Sequence, residues 1–148
     1  MAVSYEPIDP AGLLDLIGDP GAGAAVLFLG MVRDHSPGRD GVSHLEYEAY
    51  GEVVEGKIMA VVEAAKRRWP VLGAVVAHRL GSLEVGEITV GVAVSCAHRA
   101  DAFEAGRFLI DEVKRSAPIW KKEHWSGGAE WVREGEHDGG RAEPSPGW

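Results

Sequence analysis

The sequence predicts an α+β fold, a mixed α/β sandwich in which helices cover sheet. Three observations carry this. Residues 24–29 (Ala-Ala-Val-Leu-Phe-Leu) form a continuous apolar run, the pattern of a strand buried on both faces. Two long stretches repeat their apolar residues at helical spacing, and valine-rich strands lie between them. Residues 44–50 alternate polar and apolar, as a strand with one wet face does.

Taken in order, residues 3–5 are a short strand. A short helix follows over residues 10–17, with Asp9 as N-cap and Pro10 in the first helical position. Gly18-Asp19-Pro20-Gly21 ends it in a turn before the apolar strand. Residues 34–41 are dense in turn formers and read as a loop. Val54, Ile58, Val61, Val62 and Ala65 set a helix over residues 52–69, which Pro70 closes. Strands are expected around 73–80 and 88–96. Ala102, Phe103, Gly106, Leu109, Ile110 and Val113 mark a second long helix, with Asp101 and Glu104 as a capping box. Pro118 stops it, and residues 119–123 leave as an extended segment. Residues 1–134 make one domain, and the Gly/Pro-rich residues 135–148 a flexible tail.

Composition excludes several classes. A net charge of −8 argues against a nucleic-acid partner, which calls for a basic footprint. No apolar run reaches the roughly 18–20 residues that cross a bilayer, so no membrane partner is expected. The first residues have no basic segment leading into an apolar one, and the single cysteine, Cys96, forms no internal disulfide. A cytoplasmic location follows. Cys96 ends an apolar strand and reads as a small buried hydrophobe.

Against this acidic background, three stretches concentrate polar chemistry. Gly30-Met31-Val32-Arg33-Asp34-His35 puts an arginine at the end of the apolar strand. Ala97-His98-Arg99 joins a strand to a helix start, where free N–H groups and Arg99 suit an anion. Lys114-Arg115-Ser116-Ala117-Pro118-Ile119-Trp120-Lys121-Lys122-Glu123 sets two lysines around a rigid bend anchored by Trp120. Two ammonium groups held together lower each other's pKa, which makes a lysine useful in proton transfer near neutrality. Each stretch also has a plainer reading, as a solvated loop, a surface salt bridge and a basic turn. A histidine metal site from His78, His98 and His124 lacks a ligand spacing, so no metal is expected.

Together the three stretches, with Gly128-Ala129-Glu130-Trp131-Val132, resemble the large, catalytic subunit of molybdopterin synthase from about residue 24 to 132. Met31 departs from the family pattern, where a basic residue is common. The resemblance implies a hammerhead-like α/β sandwich with a small antiparallel β subdomain. It implies a homodimer that takes sulfur from the C-terminal Gly-Gly thiocarboxylate of a small ubiquitin-like carrier and places it on cyclic pyranopterin monophosphate. Lys114 and Lys121 would be catalytic, and Arg33, His98, Arg99, Lys122 and Glu123 would line the substrate pocket. No cofactor is implied. A chain with one buried thiol is a poor sulfur donor, so sulfur brought in by a carrier is consistent. The alternative is a non-catalytic module that docks such a carrier.

Overall fold

The computed structural model describes residues 2–36, 39–125 and 127–133. In chain order the elements are β1 (Val3–Ser4), α1 (Pro10–Leu16), β2 (Ala24–Met31), β3 (His35–Ser36), β4 (Arg39–Asp40), β5 (His44–Ala49), α2 (Gly51–Arg68), β6 (Val71–Arg79), β7 (Gly81–Glu84), β8 (Ile88–Cys96), α3 (Arg99–Ser116), β9 (Ile119–Trp125) and β10 (Gly128–Arg133). The expected tail, residues 135–148, lies outside the described residues, as does the domain boundary at 134.

The first sheet has the order β1-β6-β8-β2 and the second β10-β9-β5-β7, while β3 and β4 pair with each other. All pairings are antiparallel except that of β1 with β6. β8 is central in the first sheet and buried along almost its whole length. Its alternate residues serve two layers. Val90, Val92, Val94 and Cys96 join the main core with Val54, Ile58, Ala65, Ala102, Ala105, Leu109 and Val113 from α2 and α3. Ala93 faces the other way, to Leu13 and Ile17 at α1.

On that second face the sheet carries small residues because α1 lies close. A Cβ on Gly91 would stand 2.5 Å from Leu13 Cδ1, and one on Gly73 3.0 Å from the Ile17 Cα. Ser95 Oγ donates to the Ile17 carbonyl at 2.7 Å, satisfying the chain end of the helix inside the core. The result is a three-layer α/β/α sandwich, the expected class. The second sheet joins it through β6 and β7. Leu80 and Gly81 link them, and Gly81 at φ +94° adopts a backbone conformation that favours glycine. Tyr47 and His78 meet edge-on across the junction, 5.1 Å between centroids.

Several expectations change. β2 is not buried on both faces. It is the edge of its sheet and mostly half-buried, and β8 is the strand that fits the expected burial. The long second helix begins at Arg99, so Asp101 lies inside its first turn and the capping box does not form; His98 is the N-cap, without a side-chain bond. Asp9 caps α1 in position only, again without a side-chain bond. The expected loop at 34–41 contains the short β3 and β4 pairing. β7 and β10 were not expected at all.

Leu109 is fully buried where α3 meets the sheet. Leu109→Ala is expected to lower unfolding free energy by about 2–5 kcal/mol, as a cavity in a packed core does. Urea denaturation measures this, and a loss under about 1 kcal/mol would mean that α3 is not packed there as described.

Candidate active site

β2 and β8 run antiparallel, with Met31 opposite Ile88 and Ala24 opposite Cys96. Arg33 therefore leaves the first sheet at one end, while His98 and Arg99 follow β8 at the other. Eight residues at about 3.4 Å each put these groups roughly 25 Å apart. All three residues are exposed. Within one chain, strand geometry therefore keeps Arg33 apart from His98 and Arg99.

α3 starts beside His98 and runs back across the sheet. Gly106 packs against Val26 and Val94, each 3.4 Å from its would-be Cβ. Further on, Ile110 and Asp111 line a cavity of about 520 Å³ with Phe28. The helix thus heads toward the end of β2 from which Arg33 emerges, and Lys114, half-buried, stands in its last turn. Near a helix C-terminus a cation is also favoured by the dipole.

After Ala117 and Pro118 the chain enters β9, as the expected extended segment. Successive residues of a strand face opposite ways. Lys121 and Glu123 point inward, at 3% and 1% exposure, and Lys121 Nζ lies 3.6 Å from Glu123 Oε2. Lys122 and Trp120 belong to the outer face. Lys122 Nζ stands over the Trp131 ring, 5.6 Å from its centroid, and Trp120 is half-exposed. Lys122 thus lies on the opposite face of β9 from Lys121 and Glu123, and Trp120, the bulky residue at the bend, is part of the outer face. A buried ion pair is costly to desolvate and is weak evidence for stability, so its placement here points to a use.

The outer face of the second sheet holds something the sequence did not announce. Tyr5, Tyr50, Trp120 and Trp131, with Glu48, Ala49 and Pro118, line a cavity of about 530 Å³. Trp120 and Trp131 were singled out as motif residues, but only the β9–β10 pairing brings them to one face. The signal available was Gly127-Gly128, a glycine pair of the kind that joins the strands of a hairpin.

Cys96 is fully buried, as expected. Burial pushes its thiol pKa up, and the charge of Asp101 adds to the rise. The thiolate, the nucleophilic form, is thus disfavoured.

A layered α/β sandwich whose second sheet buries a lysine–carboxylate pair, with arginines and a histidine at helix and strand ends, defines an α+β protein with charged groups set at the ends of its elements. Comparison with known proteins makes this particular. A family model described as MoaE protein matches residues 3–116. The molybdopterin synthase catalytic subunit of Halalkalibacterium halodurans is 40% identical over 131 residues, 88% of this chain and 83% of that protein. The subunit of the same name from Cereibacter sphaeroides is 46% identical over 121 residues, 82% of this chain and 81% of that one. Molybdopterin synthase from Staphylococcus aureus, solved by X-ray crystallography, superposes with a TM-score of 0.83 at 35% identity, covering 88% of this chain and 95% of that chain. A chain from a complex of subunits 1 and 2 of molybdopterin-converting factor of Helicobacter pylori gives 0.72 at 22% identity, a likeness of fold. The chain belongs to the MoaE protein family, the family its three motifs resemble.

The Lys121–Glu123 pair yields a test of the geometry. Glu123→Ala leaves a buried ammonium without that counter-charge and is expected to cost about 3–5 kcal/mol. For the same reason Lys121→Ala is not silent in stability, although an exposed lysine would be. Guanidinium denaturation of the purified variants measures both, and losses under about 1 kcal/mol would contradict a buried pair.

Proposed function

We propose that this chain is the catalytic subunit of a molybdopterin synthase, a sulfurtransferase of molybdenum cofactor assembly. The observation that carries the proposal is Lys121. It is a charged side chain buried in the second sheet, on the most specific of the three motifs, in a chain 40% identical to proteins of that name. The substrate is cyclic pyranopterin monophosphate. The sulfur comes from the C-terminal thiocarboxylate of a small ubiquitin-like partner. In each round the thiocarboxylate sulfur forms a bond to one side-chain carbon of the pterin as the carbon–oxygen bond there breaks and the oxygen substituent leaves with a proton, which gives a thioester to the carrier. Water then cleaves the carbonyl–sulfur bond, so the carrier leaves as a carboxylate and the sulfur stays behind. A second round completes the dithiolene. Lys114 and Lys121 stabilise the oxyanion and move protons, and Glu123 positions Lys121. The name of the curated relatives, catalytic subunit, supports a second subunit as partner. No described helix is long and apolar enough to cross a membrane.

In this reading the separation of Arg33 from His98 and Arg99 has a solution in a homodimer. β2 is an open edge of eight residues. If two β2 edges pair antiparallel about a two-fold axis, the Arg33 end of one strand meets the Ala24 end of the other. Arg33, near the Lys114 end of one protomer, then lies by His98 and Arg99 of its partner. The phosphate would bridge the two chains through charge-assisted bonds, each worth roughly 1.5–3 kcal/mol. Sedimentation at micromolar concentration should give twice the 15.8 kDa chain mass. A purely monomeric species that still turns over would remove the shared site.

The activity test uses the purified chain, a thiocarboxylated carrier and the pterin precursor, with dithiolene product as readout. Lys121→Arg keeps the charge and the counter-charge to Glu123 but does not give up a proton near neutrality. Product formation should fall a hundredfold or more while carrier binding stays near normal. Full activity in Lys121→Arg would withdraw the proton-transfer role. Loss of carrier binding as well would favour the docking module over the enzyme.

A further inference from the structure

The solvent face of the second sheet carries a cluster that the sulfur-transfer reading does not use. β5 and β9 are neighbours, and His44 sits directly opposite His124 in their register. Glu46 follows two residues along β5, on the same face. The imidazoles of His44 and His124 stack with centroids 4.0 Å apart and planes 14° from parallel. One donor atom from each of His44, Glu46 and His124 lies within 4.8 Å of the other two, and all three residues are half-buried.

Two details separate this from ordinary cross-strand packing. Glu46 Oε1 comes within 3.2 Å of His124 Nε2, yet that nitrogen is shielded from solvent and has no hydrogen-bond partner among the described residues. The carboxylate is beside the nitrogen but off the line an N–H would take. Such a buried orphan is uncommon and points to a missing ligand. The second detail is Ser43, whose Oγ lies 3.0 Å from His44 Nδ1. A hydroxyl there orients the ring and leaves Nε2 to ligate, the outer-shell arrangement that metal-binding histidines use.

We propose that His44, Glu46 and His124 form a transition-metal site of the zinc class. Two imidazoles and one carboxylate are a borderline donor set that suits Zn²⁺ and is poor for Ca²⁺ or Mg²⁺. An ion about 2.1 Å from each donor sets tetrahedral donors roughly 3.4 Å apart, so the cluster closes by side-chain movements of on the order of 1 Å. A cavity of about 470 Å³, lined by Ser43, His44, Ser82, Glu84 and Val85, opens beside His44 and leaves the fourth position to water. Glu84, opposite His44 on β7, adds a second carboxylate at the rim. The nearby cation on this face, Lys122, is opposite Glu46 in register but its ammonium lies over Trp131. The ion would clip β5 to β9, the strand whose other face carries Lys121 and Glu123. The proposal stands apart from sulfur transfer and holds whether or not that reading does.

The test uses the untagged full chain, stripped with chelator and titrated with ZnCl₂ by calorimetry, then with CoCl₂ by visible absorption. One Zn²⁺ per chain should bind, Co²⁺ should give a ligand-field band, and added Zn²⁺ should raise the thermal midpoint. His44→Ala and His124→Ala should each weaken binding tenfold or more. Glu46→Gln, which keeps shape and removes the charge, should do so too, and it serves if an alanine variant fails to fold. His137→Ala, in the C-terminal stretch, should bind as the unaltered chain does. No Zn²⁺ uptake at micromolar concentration, or uptake undiminished in the His44→Ala/His124→Ala double variant, would overturn the site.

Discussion

The double-sided burial of β8 is the constraint on which the rest of the molecule depends. A strand covered on both faces must offer each face a different partner, and β8 does so by size. Its valines meet α2 and α3, while Gly91, Ala93 and Ser95 leave room for α1. The helix that follows β8 must then run back over the valine face, and its length carries Lys114 to the far end of the sheet. The positions of the basic groups are consequences of that packing. His98 and Arg99 stand where α3 begins, and Lys114 stands where it ends.

The helices and the central strands were legible because their signals are local. Apolar spacing alone located α2 to within a residue of each end. Pro118 correctly separated α3 from β9. What was not legible depended on pairing. β2 has the composition of a central strand, and nothing in residues 24–29 says that no strand lies beyond it. β7 and β10 are short, and they exist because β5 and β9 offer them edges. The capping box at Asp101 failed for a related reason, since α3 begins as soon as the chain clears β8 and so takes His98 as its cap.

The site shows the same division. The motif carrying Lys114, Lys121 and Glu123 was readable as a pattern, and strand alternation then decides which of its residues cooperate. Lys121 and Glu123 fall on one face and Lys122 on the other, a consequence of period two that a list of basic residues hides. His124 was noticed together with His78 and His98, but its actual neighbours are His44 and Glu46. They lie about eighty residues earlier in the chain, and only the β5–β9 register brings them together.

A net charge of −8 does not exclude a local concentration of positive groups, because charge acts locally. At physiological salt, exposed acids more than about 8 Å from a cation are largely screened. Buried groups are screened far less, so at Lys121 the buried Glu123, 3.6 Å away, counts for more than many surface carboxylates. Burial raises the cost of the lysine charge as well as its reach, and Glu123 offsets part of the cost. The pair thus gives the sheet a polarised interior, while Arg33 and Arg99 stay in water at the ends of elements. There they are cheap to keep charged but weak alone. Arg33 and the His98–Arg99 pair thus stand at opposite ends of β2, whose outer edge no described strand covers.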